Sequence, residues 1–195
     1  MAILNIVKEG EPVLRKTSRE ITEITPRIRT LIDDMRETLK KAEGVGLAAV
    51  QVGVLRRVVL VENDEGEIWE LINPVITERS DEHQQELEGC LSVPGKWGVT
   101  DRPMKVSVEA LDHDGNKRTV TGMGLTARAL CHELDHLDGI LFSDNALEIL
   151  TEEQLQERAE QNKNKKEKKS KKNNRVSNQA RQTNGAVGTE NRAGD

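Results

Sequence analysis

Two histidines four residues apart sit in the stretch of this chain with the best-formed helical pattern, HELDH at 132–136. At that spacing both imidazoles lie on one helix face, about one turn apart. Leu130, Leu134 and Leu137 fall on the other side, at an advance of about 100° per residue. A helix that buries leucines behind and presents histidines in front needs apolar elements at its back and a cavity at its face. The fold must therefore be built around this helix, predicted over residues 126–137 with Thr126 as cap and Gly139 as terminator.

The flanking patterns supply what can surround it. A second helix is predicted from Thr25-Pro26, capped by the threonine hydroxyl, with Ile28, Leu31, Ile32, Met35, Leu39 and Ala42 on its inner stripe and Gly44 at its end. RRVVLVEN and IWELINPVI read as strands joined by a turn over 63–66, and MKVSVEALD and NKRTVTG as a hairpin about an Asp-Gly turn. Val106, Val108 and Ala110 would share one face of that hairpin. The expected fold class is α+β, with mostly antiparallel strands surrounding a central metal-binding helix.

The 195 residues suffice for one domain with a hydrophobic core. Its limits are expected at 1–156, because residues 157–195 offer only Val176, Val187 and a few alanines amid Lys, Asn and Gln. Such a composition cannot offset its ordering entropy, and disorder is expected beyond a turn or two of a helix starting near Thr151. Residues 1–156 carry 18 Lys+Arg against 29 Asp+Glu, and residues 157–195 carry 11 against 5. An acidic body with a basic arm is not the pattern of a DNA-binding domain. Charge interrupts MAILNIVKEGEPVLRK before a signal-peptide core forms, and no apolar run approaches the roughly 20 residues of a membrane span, so a cytoplasmic protein is expected.

Imidazoles at this spacing suit zinc, iron, cobalt or nickel, and a catalytic site adds a third protein ligand while keeping one position open. Cys90 in EGCLS is the candidate, since Gly89 before it permits close backbone approach. Cys131 lies about 100° round the helix from His132, away from His136, and reads as a core residue. Glu133, at the edge of the histidine face, can exchange protons with water or substrate. GVGLAAVQ at 44–51 has glycines for a tight, strand-like passage that a peptide backbone can join, and Gln51 can donate an amide hydrogen to a developing oxyanion.

GVGLAAVQ, EGCLS at 88–92 and HELDH, in this order and separation, resemble the peptide deformylase family over about residues 1–150. The resemblance implies that Cys90, His132 and His136 bind one divalent ion, physiologically iron(II), with zinc, nickel or cobalt able to replace it. It implies hydrolysis of the N-formyl group from the initiator methionine of nascent chains, releasing formate. Glu133 would move the protons, and Gln51 with the Leu91 N–H would stabilise the formyl oxygen. Gly44, Val45, Gly46 and Gly89 would align the peptide, and Glu88 and Arg102 would support the site from behind. VPGKWGVTDRP at 93–103 departs from many members, and Trp97 would either line the channel or stand exposed on a structural loop. The run KNKKEKKSKK, over 163–172, would touch ribosomal RNA or remain solvated, and the enzyme is expected to act as a monomer. Two other readings fit single motifs: a thermolysin-like metallopeptidase taking Glu148, Glu152 or Glu153 as ligand, and a non-catalytic, ribosome-associated metal-binding protein.

Overall fold

In the computed structural model, which describes residues 2–159, the run VVLV explains the architecture. It forms β2 (Val58–Glu62), and its alternate side chains enter two different cores. Val59 and Val61 face one side and Val58 and Leu60 the other, all buried. A strand covered on both faces loses the polar alternation of a half-exposed one.

The strands β1 (Gly46–Ala48), β2, β3 (Ile68–Arg79), β6 (Lys105–Leu111) and β7 (Lys117–Met123) form an antiparallel sheet in the order β1-β2-β3-β6-β7. Helix α1 (Pro26–Ala42) covers one face through Ile28, Ile32, Met35 and Leu39. The opposite face receives α2 (Gly124–Leu137), whose Ala129, Leu130, Leu134 and Leu137 meet Val59, Val61, Leu71, Val108 and Val120. The expected antiparallel α+β arrangement about the histidine helix is what forms. Both predicted hairpins are present.

A second antiparallel sheet, ordered β4-β5-β8, consists of β4 (His83–Cys90), β5 (Val93–Pro103) and β8 (Glu148–Thr151). None of these strands is among those expected from the sequence. Gln84, Glu88, Thr100 and Arg102 are among their buried positions, so apolar alternation is absent where it would be sought. A short helix, α3 (Phe142–Asn145), packs Phe142 into the space left by Gly98, where a Cβ would lie 2.7 Å from the ring.

Three end signals differ from expectation. Thr25 precedes α1, but its hydroxyl caps nothing; its carbonyl instead accepts the Ile28 and Arg29 N–H groups. Glu43 rather than Gly44 takes the left-handed conformation after α1, with φ 52°. Helix α2 begins two residues before Thr126, whose buried hydroxyl has no partner among the described residues. Gly139 follows α2 at φ 76° against the Arg15 backbone, a position closed to a side chain.

The compact unit is Met1–Thr151. In the unit that follows, residues 152–159 are helical, beginning where a helix was expected, and the basic run over 163–172 lies outside the described residues. Among the described residues no helix is long and apolar enough to cross a membrane.

Candidate metal centre and substrate cleft

The inward face of α2 meets the end of β4 and the turn after β1. Cys90 is the last residue of β4, where the paired strands break register between Gly89 and Cys90. This irregularity turns its thiol toward α2, and Sγ lies 3.2 Å from Nε2 of His136. One ligand atom each from Cys90, His132 and His136 can be chosen so that all three lie within 4.8 Å of one another. Among the described residues this is the one group of three such side chains placed to share an ion. Of the three carboxylates of the alternative metallopeptidase reading, Glu148 sits on β8 opposite Val99, and Glu152 and Glu153 lie in the helix at 152–159.

One thiol and two imidazoles form a three-ligand set of the kind that leaves a fourth position open. Burial lowers the His136 pKa well below its ordinary value, with His132 acting in the same direction. Burial also disfavours charge on His132, but hydrogen bonds with Cys90 and Glu88 outweigh it and raise that group. A thiolate and two neutral imidazoles are the donors that such a site offers a divalent cation. The donor set fits a metal.

Behind His132 stands a buried polar network. Glu88 Oε2 lies 3.0 Å from His132 Nδ1, and Glu88 Oε1 accepts from Thr100 Oγ1 at 2.7 Å and from Arg102 Nε at 2.8 Å. Arg102 also donates to Asp135 Oδ2 at 2.7 Å. Burial opposes ionisation of Glu88, yet the His132 and Arg102 hydrogen bonds hold its carboxyl at about 2. Glu88 and Arg102 were anticipated in supporting positions. Asp135 and Thr100 were not, although Asp135 lies three residues after His132 and hence near its face.

Glu133 is buried, with Oε2 unpartnered among the described residues. Burial pushes its carboxyl up to about 7, against the pull of His132. The β1 backbone presses on it at Gly46, where a Cβ would come within 2.7 Å of Glu133 Cγ. Gln51 follows β1 in the 3-10 turn Ala49–Val52. Its Oε1 accepts the Ala48 N–H at 2.7 Å, which turns Nε2 toward Cys90 Sγ at 3.5 Å and Ser92 Oγ at 3.3 Å.

These groups open onto a cleft of about 360 Å³. Gly44, Val45, Gly46, Gln51, Glu88, Gly89, Cys90, Leu91, His132 and Glu133 all line it, whereas Arg102 stands behind. Trp97 lines it too, its ring 2.8 Å from where a Gly89 Cβ would stand. Its 37% exposure belongs to the cleft rim rather than to a detached loop. Leu87, Val93, Leu125 and Ala129 supply apolar wall. Cys131 is buried against Val106 and Ala127, apart from the three ligands.

The family model described as polypeptide deformylase matches residues 3–152. A peptide deformylase of Acetivibrio thermocellus is 51% identical over 160 residues, covering 82% of this chain and 93% of that protein. The crystal structure of peptide deformylase from Ehrlichia chaffeensis in complex with actinonin aligns with TM-score 0.73 and 37% identity, over 85% of this chain and 98% of that one. A Met-Ala-Ser-bound class I type b peptide deformylase from Acinetobacter baumannii aligns with TM-score 0.69 and 33% identity, over 74% of this chain and 98% of that one.

Proposed function

Because the chain belongs to the polypeptide deformylase family, we propose that the groups converging on its cleft divide between them the work of that family's reaction, hydrolysis of the N-formyl group from the initiator methionine of new polypeptides. The observation that carries this assignment is the convergence of Cys90, His132 and His136 beside a buried carboxylate with a free oxygen, at the end of a peptide-sized cleft.

Cys90 as a thiolate, His132 and His136 would hold a divalent ion, which would supply Lewis acidity and make water at the site a stronger acid. Glu133 accepts the proton of the attacking water and delivers it to the departing methionine amine, so that formate and a free amino terminus result. Gln51 Nε2 and the Leu91 N–H donate to the formyl oxygen as negative charge builds on it. The Gly44–Gly46 segment and Gly89 run beside the peptide backbone, and β1, an edge strand, can take an added strand there. The apolar wall at Leu87, Leu125 and Ala129 receives the methionine side chain, a reading supported by the peptide named in the Acinetobacter structure. Glu88, held by Arg102, orients His132.

We assign iron(II) as the physiological ion, with zinc, nickel or cobalt able to occupy the same donors. The catalytic domain is taken as residues 1–156, and the working form as a monomer. Bacterial relatives support a cytoplasmic location, where nascent chains carry the formyl group. The decisive experiment measures formate release from a formyl-Met peptide by anaerobically purified protein, with metal content determined on the same sample. Release should vanish on chelation and return with iron(II). A folded, metal-loaded sample that releases no formate would overturn the assignment.

The basic tail, with Lys/Arg outnumbering Asp/Glu 11 to 5 over residues 157–195, is assigned to ribosomal RNA contact. Removing residues 160–195 should leave peptide deformylation intact and weaken salt-sensitive binding to ribosomes. Unchanged ribosome binding at low salt would exclude that role.

A further inference from the structure

Residues 7–9 form a strap bonded to both of the segments that carry the oxyanion donors. The Val7 N–H donates to the Gln51 carbonyl at 2.8 Å, and two residues on the Glu9 N–H donates to the Ser92 carbonyl at 2.7 Å. Between them Lys8 Nζ donates to the Leu91 carbonyl at 2.7 Å. The Glu9 carboxylate accepts from Lys96 Nζ at 2.7 Å, tying the strap to the cleft rim. Because the strap's backbone partners belong to two different segments, no regular strand forms here, and the apolar pattern of ILNIV gives no sign of its role.

We propose that this strap sets the direction of both oxyanion donors, with Lys8 as a positioning residue for the Leu91 N–H. The inference rests on the assignment of Gln51 and Leu91 given above. Leu91 and Ser92 form the two-residue turn between β4 and β5, closed by the Cys90–Val93 pair. The Leu91 N–H and carbonyl belong to successive peptide planes that pivot on one Cα. Pinning the carbonyls of Leu91 and Ser92 from outside leaves the preceding plane little freedom to swing. Across the cleft, the Gln51 carbonyl is pinned by Val7 and its side-chain oxygen by Ala48, so only Nε2 is left to face the reacting group. Donors that are already aimed cost no reorganisation as charge develops.

Lys8 can be tested because its contribution is through its side chain alone. Lys8→Met keeps the stem and loses the donor, while Lys8→Arg keeps a donor. Both full-length variants would be loaded with iron(II) and compared with wild type for formyl-Met peptide turnover, metal content and thermal midpoint. Lys8→Met should lower kcat on the order of tenfold, with KM within about twofold and one ion per chain retained, and Lys8→Arg should recover most of that loss. Unchanged kcat in Lys8→Met, equal losses in both variants, a change confined to KM, or loss of metal or fold would each overturn the inference. A wild type that releases no formate would instead remove the reading beneath it.

Discussion

Glu133→Ala should lower kcat for formyl-Met peptides on the order of 10³-fold while one metal ion per chain remains bound. Two effects compete at this position. The carboxylate is buried with one oxygen unpartnered among the described residues, so holding it there costs folding energy, and a neutral replacement relieves that cost. Against this, the carboxylate beside the three ligands that has an oxygen without a partner among the described residues is lost. For turnover the second effect wins, because the other carboxylate in contact with the ligands, Glu88, is occupied by His132, Thr100 and Arg102. Metal retention follows from the geometry, in which the ligand atoms come from Cys90, His132 and His136. Glu133→Gln separates packing from proton transfer. It keeps the side-chain shape, so it should lose activity as severely as the alanine variant and unfold at no lower a temperature than wild type. Full turnover in either variant would remove Glu133 from the chemistry, and loss of the ion in both would make it a ligand.

The chemistry was more legible in the sequence than the scaffold that holds it. His132, His136 and the leucines behind them could be placed from helical spacing alone, because one face of α2 is uniformly apolar and the other carries the ligands. Helix α1 and the β6–β7 hairpin were readable for the same reason. The second sheet was not. Its inward side chains include Glu88, Thr100 and Arg102, which satisfy one another, and Gln84, which donates to the Pro103 and Gly124 carbonyls. No hydropathy period can announce a strand whose core is polar. The helix ends failed differently. Threonine at a predicted boundary is a local signal, and at Thr126 the preceding β7 strand carries the chain into α2 two residues earlier. Nor could local reading find the strap at residues 7–9 or the Arg102–Asp135 contact, since each joins segments distant in sequence.

That polar scaffold leads to the second large effect. Arg102→Met should destabilise the folded protein by about 3–5 kcal/mol, measured by urea unfolding near neutral pH. The methionine can occupy the volume of the arginine stem, so cavity formation is the smaller component. The larger one is charge: the guanidinium bridges Glu88 and Asp135, and its removal leaves Glu88 almost fully buried with His132 and Thr100 as its remaining partners. Arg102→Lys should recover only part of the loss, because one ammonium cannot reproduce a planar fork that meets two carboxylates. The sign of the pH dependence follows from Glu88. Its folded-state carboxyl is held at about 2 against an ordinary value of 4.5, so the folded state binds fewer protons than the unfolded chain between those values. The stabilisation is therefore complete above pH 4.5 and is lost as pH falls through about 2. The variant's deficit relative to wild type should shrink over that window. Metal affinity should also weaken by about 10- to 100-fold, since Glu88, steadied then by Thr100 alone, fixes the His132 ring less firmly. A variant as stable as wild type at neutral pH would mean that the arginine offsets its own desolvation and contributes nothing further. A destabilised variant with undiminished metal affinity would separate the scaffold from the metal centre.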